Sequence, residues 1–432
     1  MQPSAPATHV VGLGLAGLST ALRLVAAGRP VRLYEAAGQA GGRCRSFHDA
    51  RLGIEIDNGN HLLLSGNASA LAYLDLVGAR DEIEIGAEAA FPFVDLASGE
   101  RWTVRINDGP LPWWLLDRRR RVPAARAAEY LSVLRIVGAD EDATVTDAVG
   151  AAGALFRRFW EPLTIAVLNM PPTEGSARLM RTVLLATFAR GGRHCRPVVA
   201  RRSLGAAFVE PALARLADAG ARPRFHCRLR GLATAGDRVA GLDFGGETVP
   251  VAADETVVLA LPPSRLADAL PGTTVPDDEH VIANAHFRIA PELAARRLPR
   301  LLGVLNGAAQ WIFVRRDVIS ITISAAGALG HDGAAEELLP RLWAEARQAL
   351  ELPPDGTYLA SRFIKEKRAT FDQSPAGVRR RPKTATAFGN LFVAGDAVDT
   401  GLPATIEGAI RSGEVAANAI LNGSRSWNFL AS

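Results

Sequence analysis

Gly12, Gly14 and Gly17 follow a short apolar run at 9–11 and open a stretch, 15–27, with the pattern of a helix. Small residues at this spacing, between a strand and a helix, suit close approach to phosphate. The first permits a tight turn, the second lets backbone approach a pyrophosphate, and the third lets the helix pack on the strand. Ala21, four positions after Gly17, keeps the same face small. The free N–H groups at the helix start then point at the phosphates. The next strand, 30–34, ends at Glu35. A carboxylate there accepts ribose hydroxyls and repels a 2′-phosphate, so the spacing predicts FAD or NAD rather than NADP.

A second glycine-rich segment lies at the other end of the chain. An apolar run at 391–394 is closed by Gly395-Asp396, and the loop from Thr400 through Thr405 and Ile406 enters a helix that continues to about 421. Gly408, Ala409 and Gly413 permit close packing there. If both segments hold one molecule, the chain folds back so that its ends meet around it.

Ala40-Gly41-Gly42-Arg43, just after Glu35, resembles the second fingerprint of the two-dinucleotide-domain flavoproteins, the amine oxidase and phytoene desaturase superfamily. The resemblance implies FAD. It also implies that Arg43 and the glycine backbone hold the flavin-side phosphates, and that Asp396 serves the ribityl or phosphate side. The helix start at Thr405 and Ile406 would face the flavin pyrimidine, where its partial positive charge favours the anionic reduced ring. The cofactor set is Gly12, Gly14, Ala16, Gly17, Glu35, Gly42, Arg43, Gly59, Leu229, Gly395, Asp396, Thr405 and Ile406.

The elements between the grips must position them. With 432 residues, 48% of them hydrophobic, the chain can build two or three domains. Alternating runs at 224–229, 239–244 and 248–251, with turns at Gly236-Asp237 and Gly245-Gly246, predict an antiparallel meander leading into a buried strand from Glu255 that Pro262-Pro263 ends. The superfamily returns such a unit to the FAD domain. The expected fold is therefore α/β, a two-dinucleotide-binding-domain flavoprotein. Its Rossmann-like FAD domain is discontinuous (1–66, 203–264, 386–432), with an α+β substrate domain from 67–202 and 265–385. Thr144 with Asp147 predicts a helix cap.

Composition narrows the partners. Net charge is +4, carried mostly by Arg, without a nucleic-acid motif. Cys44, Cys195 and Cys227 are too dispersed for a disulfide framework or a metal site, which fits the cytoplasm. No secretory signal is read at the start, and no apolar run is long enough for a spanning helix. Trp113 and Trp114 stand close before Arg118, Arg119, Arg120 and Arg121. That pairing suits peripheral contact with an anionic membrane at its inner face.

Four segments narrow the resemblance: Ile56-Asp57-Asn58-Gly59-Asn60-His61, Phe159-Trp160-Glu161-Pro162-Leu163 with Asn169, Glu366 to Phe371, and Thr400 to Gly413. They resemble the squalene-associated FAD-dependent desaturases of hopanoid biosynthesis, over nearly the whole chain. The family more often has Gln at the place of Asn60 and a bulkier residue at that of Ala397. The resemblance implies reductive removal of an allylic hydroxyl from hydroxysqualene, giving squalene and water. The polar candidates for that chemistry are His61 as proton donor, Asp57 orienting it, and Glu161 as a neutral buried acid. The alternatives are a carotenoid-type desaturase, a flavin amine oxidase, and a non-catalytic lipid binder like the Rab GDP-dissociation inhibitors.

Overall fold

Two short strands from opposite ends of the chain enter one parallel sheet. A computed structural model describes residues 5–277, 279–328 and 334–423. The extremes of the FAD-domain assignment, 1–4 and 424–432, lie outside the described residues. The sheet runs in the order Pro223–Arg224, Val31–Tyr34, Thr8–Val11, Thr256–Leu259, Leu391–Val393. Every neighbouring pair is parallel. Val10, Val258 and Val393 are fully buried, as parallel strands covered on both faces require. Strand order reverses between Thr8–Val11 and Thr256–Leu259, and ligands bind at such a switch point beyond the strand ends.

Helix Leu15–Ala26 leaves that point and packs on the C-terminal helix Ile406–Asn422. Their approach depends on Gly413, where a Cβ would lie 2.3 Å from the carbonyl oxygen of Ala16. Ser19 Oγ donates to the Ile410 carbonyl at 2.9 Å, and Thr20 Oγ1 lies 3.2 Å from that of Gly413. Hydroxyls thus staple the two helices where side-chain bulk is excluded.

A second sheet of seven strands begins with Tyr358–Phe371 and Glu279–Ile289 and ends with Ala89–Asp95 and Arg101–Ile106. It is antiparallel except where Leu301–Leu305 pairs with Ala89–Asp95. Helices between residues 132 and 186 cover its apolar face. The Thr144–Asp147 capping box is present.

Two helices carry a π turn, Phe156–Trp160 and Gly205–Val209. Each is followed closely by a proline, Pro162 and Pro211. Proline offers no N–H and crowds the carbonyl four residues back, so a widened turn absorbs both defects.

The meander differs from expectation at its first strand. It comprises Gly231–Ala235, Arg238–Asp243 and Thr248–Pro250, whereas Pro223–Arg224 joins the parallel sheet. His226, at φ +58°, turns the chain, and the Cys227 amide donates to the Glu35 carbonyl at 2.8 Å. Pairing with the Glu35 loop therefore takes this segment away from the meander.

Replacing Gly413 tests the helix contact. Gly413→Val should lower stability by about 1–3 kcal/mol through overpacking and reduce bound flavin. Thermal unfolding and flavin content measure both, and wild-type values for both would contradict the close approach.

Candidate active site

The two glycine-rich segments meet at one cavity of about 490 Å³. The turn after Thr8–Val11 forms its back wall. Gly12 adopts φ +95°, and a Cβ there would sit 2.3 Å from the Ala260 carbonyl oxygen. Gly14 is different: no atom lies within 4 Å of its virtual Cβ, and it lines the cavity. A larger residue would fill the cradle instead of the ligand. Gly41 bonds back through its amide to the Leu13 carbonyl at 2.7 Å, joining the two fingerprints by backbone.

Glu35 lines the same cavity. Its two carboxylate oxygens accept the amides of Leu13 and Ala37, each at 2.8 Å. Each oxygen keeps lone-pair capacity for a further donor. Arg43 spans the cavity floor, donating to Asp396 at 2.5 Å and to the Ala369 carbonyl at 2.8 Å. Gly42, Ala16, Leu229, Gly395, Thr405 and Ile406 also line it. Gly17 stands behind the wall, where its virtual Cβ would meet the Gly12 carbonyl oxygen at 1.9 Å. Gly59 departs from the expected set and lines a second cavity instead.

That second cavity, about 470 Å³, is walled largely by apolar side chains, among them Leu62, Phe91, Phe159, Val167, Phe188 and Trp311. Its size and lining suit an apolar small molecule. The two chambers share Arg43, His61, Glu366, Ala369 and the loop Ala404 to Ile406. Chemistry between their contents can occur only at this junction.

His61 is the titratable ring at the junction. It is half-buried by area, but its accessible surface faces the chambers. Burial pushes its pKa down to about 4; Asp57 opposes this and Arg43 reinforces it. At neutral pH the ring is therefore uncharged. In that state it can still donate a hydrogen bond through its N–H.

Asp57 does not reach either large chamber. Only 2% exposed, it accepts from Ser46 Oγ at 2.6 Å and the Leu204 amide at 2.8 Å, and pairs with Arg315 at 2.8 Å. These bonds fix the loop that ends at His61. Glu161 lies outside both chambers, although Phe159 and Leu163 of the same helix enter the apolar one. Its place does not support the expected role of a buried acid. Sequence reading gave Asn60 as a motif position but missed the polar floor it builds with Asn284 and Thr322. There Asn60 Nδ2 donates to Thr322 Oγ1 at 3.1 Å, and Thr322 Oγ1 to Asn284 Oδ1 at 2.9 Å. It also missed Glu366, which accepts from Asn58 Nδ2 at 3.0 Å. Both networks join residues distant in sequence. The motifs offered a signal for Asn60 and Glu366, and none for Asn284 and Thr322.

The sequence profile of the family described as "Flavin containing amine oxidoreductase" matches residues 15–421. The chain belongs to that family. This flavin-containing oxidoreductase is 43% identical to a hydroxysqualene dehydroxylase of Zymomonas mobilis, over 96% of its own length and 99% of the relative's. It is also 43% identical to one of Rhodopseudomonas palustris, over 97% and 99%. Cyclohexylamine oxidase from Brevibacterium oxydans shares its fold, with TM-score 0.67 and 16% identity over 97% of this chain and 99% of that one. The chain is thus an FAD-dependent oxidoreductase, and the non-catalytic alternative falls. The residues fit the cofactor: an open glycine cradle, a ribose-ready carboxylate at Glu35 and an arginine at the far end. Among the described residues no cluster of His, Cys, Asp or Glu could hold a metal.

His61 and the buried His286, whose pKa burial also lowers to about 4, give a pH signature. Unfolded, both titrate near 6.5, so between about 4 and 6.5 the unfolded chain binds more protons. Their contribution to stability is therefore lost as pH falls through that window. Urea unfolding across it should show a shallower pH slope in His61→Asn/His286→Asn than in wild type, and an identical slope would refute the buried neutral rings.

Proposed function

We propose that the protein removes the allylic hydroxyl of hydroxysqualene reductively, releasing squalene and water. One observation carries this reading: relatives named hydroxysqualene dehydroxylase match almost the whole chain at 43% identity. The paired chambers support it, because a long apolar substrate can lie in one with its allylic hydroxyl carbon at the junction with the other. Gly12, Gly14, Glu35, Gly42, Arg43, Asp396 and Thr405 would hold FAD. Reduced, FAD supplies a hydride to an electron-poor carbon.

The remaining work falls to the chain. Apolar walls exclude water from the allylic carbon as positive charge develops there. His61 donates a hydrogen bond to the leaving hydroxyl and relays a proton to it. Asp57 is a positioning residue: by fixing its own loop to Ser46, Leu204 and Arg315 it sets where the imidazole stands. Asn60, tied to Asn284 and Thr322, fixes the same loop on its other side. Glu161 takes no part.

The substrate also explains an apolar outer face. Trp113 is 63% exposed, and Leu116 and Leu134 are 71% and 63% exposed. Trp114 does not join them. It is 7% exposed and packs edge-on to Tyr130 in the core. Leu185 also projects outward, from a helix whose Thr182, Val183 and Ala186 line the apolar chamber. Arg118 and Arg119 are exposed close to Trp113. This face lies on the cytoplasmic surface of an anionic membrane and takes substrate from it. Among the described residues no helix is long and apolar enough to cross a membrane.

Two measurements test the reading. Anaerobic mixing of reduced enzyme with hydroxysqualene should yield squalene, and His61→Ala should slow it by about 10²-fold or more with FAD still bound. Retained turnover in that variant would remove His61 as the donor. Trp113→Ser/Leu116→Ser, which spares the buried Trp114, should bind phosphatidylglycerol vesicles more weakly than wild type in sedimentation. Equal binding would place the membrane contact elsewhere.

A further inference from the structure

A third, much smaller cavity lies on the far side of His61. Its volume is about 40 Å³, room for about three water molecules and far too little for a hydrocarbon chain. Asn60, His61 and Phe313 line its inner end and also line the apolar chamber, so the three form the partition between the spaces. The outer end lies at Glu84 and Arg300, an ion pair at 3.5 Å whose side chains are 39% and 58% exposed. Between the ends stand Asp57, Arg315 and Ser320.

The lining is chemically unlike either neighbour. Asp57 and Arg315 form a charged pair at 2.8 Å, 2% and 23% exposed, in a place that serves neither cofactor nor hydrocarbon. Buried charges are stabilised only by partners that solvate them. Ser320 Oγ bonds His286 Nδ1 at 2.8 Å. The other ring nitrogen of His286, a residue only 1% exposed, has no hydrogen-bond partner among the described residues. His286 itself stands behind the wall, and Ser320 links it to the passage.

We infer that this cavity is a water passage that brings a proton from solvent to His61 and carries the product water away. The inference rests on the dehydroxylation reading, which fixes what must move. The C–O bond breaks as the hydroxyl oxygen gains one proton, and a hydride from reduced FAD closes the allylic carbon. The alcohol, one proton and one hydride become the hydrocarbon and one water. Neither proton nor water has a route through the apolar chamber without wetting the reacting carbon. A neutral His61 cannot hold the proton in reserve, so it must be resupplied in each turnover. The passage meets both needs on the face of the ring turned from the substrate.

Val199 lines the passage and neither large chamber, on the strand Pro197–Ala200 opposite Glu84. Val199→Phe should fill it. Stopped-flow mixing of reduced holoenzyme with hydroxysqualene reads flavin reoxidation in H2O and D2O. The expected result for Val199→Phe is a rate lower by about tenfold or more and a larger D2O effect. FAD content and substrate affinity, read from the flavin spectrum of the oxidised enzyme, should stay as in wild type. Val199→Ala, which leaves the passage open, should react like wild type. Glu84→Leu/Arg300→Leu closes the mouth at the surface and should repeat the slowing without burdening the core. Wild-type rates and D2O effects in both closed variants overturn the passage while leaving the dehydroxylation reading intact. No squalene from wild type overturns that reading, and the passage with it.

Discussion

Arg43 and Asp396 are separated by 353 positions in the chain and by 2.5 Å in space. The same guanidinium donates to the Ala369 carbonyl of the second sheet. One side chain therefore ties together the second fingerprint, the C-terminal grip and a strand that lines the substrate chamber. Breaking one member of such a partly buried pair leaves the other charge uncompensated, so the three segments hold position together or not at all. The close contact of Gly413 with Ala16 serves the same closure from behind. Chamber shape, junction and parallel sheet all presuppose that the chain ends have met.

Closure also sets the electrostatics. Arg43 lies near enough to His61 to add to the effect of burial in lowering its pKa. Asp57 would oppose that, but its charge is shared with Arg315, Ser46 and the Leu204 amide. The outcome is a junction with a fixed cation on the cofactor side and a neutral ring facing the substrate. Three environments touch at that ring: a polar cofactor chamber, an apolar chamber and a narrow charged passage.

What could be read in the sequence follows the range of the interactions. The glycine turns, Glu35 and Arg43 were legible because strand, turn and helix are contiguous and each small residue has a local steric reason. The capping box at Thr144 is equally local. Asp57 was legible as important but not in its placement, because Arg315 lies on a strand of the other sheet. Asn284 and Thr322 sit in β-rich runs and look like ordinary strand residues until Asn60 reaches them. Trp113 and Trp114 are neighbours with opposite fates: a single 3₁₀ turn, Trp113–Leu116, sends one outward and the other into the core. Glu161 misled for a similar reason. An acid among apolar residues suggests a buried site, but its helix presents Phe159 and Leu163 to the chamber. Periodicity does not say which face wins when a π turn and Pro162 rotate the register.

The neutrality of His61 bears on how an allylic hydroxyl can be lost beside a hydride donor. A charged imidazolium would be a better proton donor than the neutral ring, but it would also repel positive charge growing on the allylic carbon. In a low-dielectric chamber that repulsion is weakly screened. A neutral ring avoids the penalty and still offers a hydrogen bond. The proton must then arrive only when the oxygen can accept it and depart with the water it forms. On the dehydroxylation reading, a charged passage behind the ring and an apolar chamber in front solve one problem: the proton approaches from the side away from the developing cation. Asp57 and Arg315, which look purely structural, balance charge along that approach.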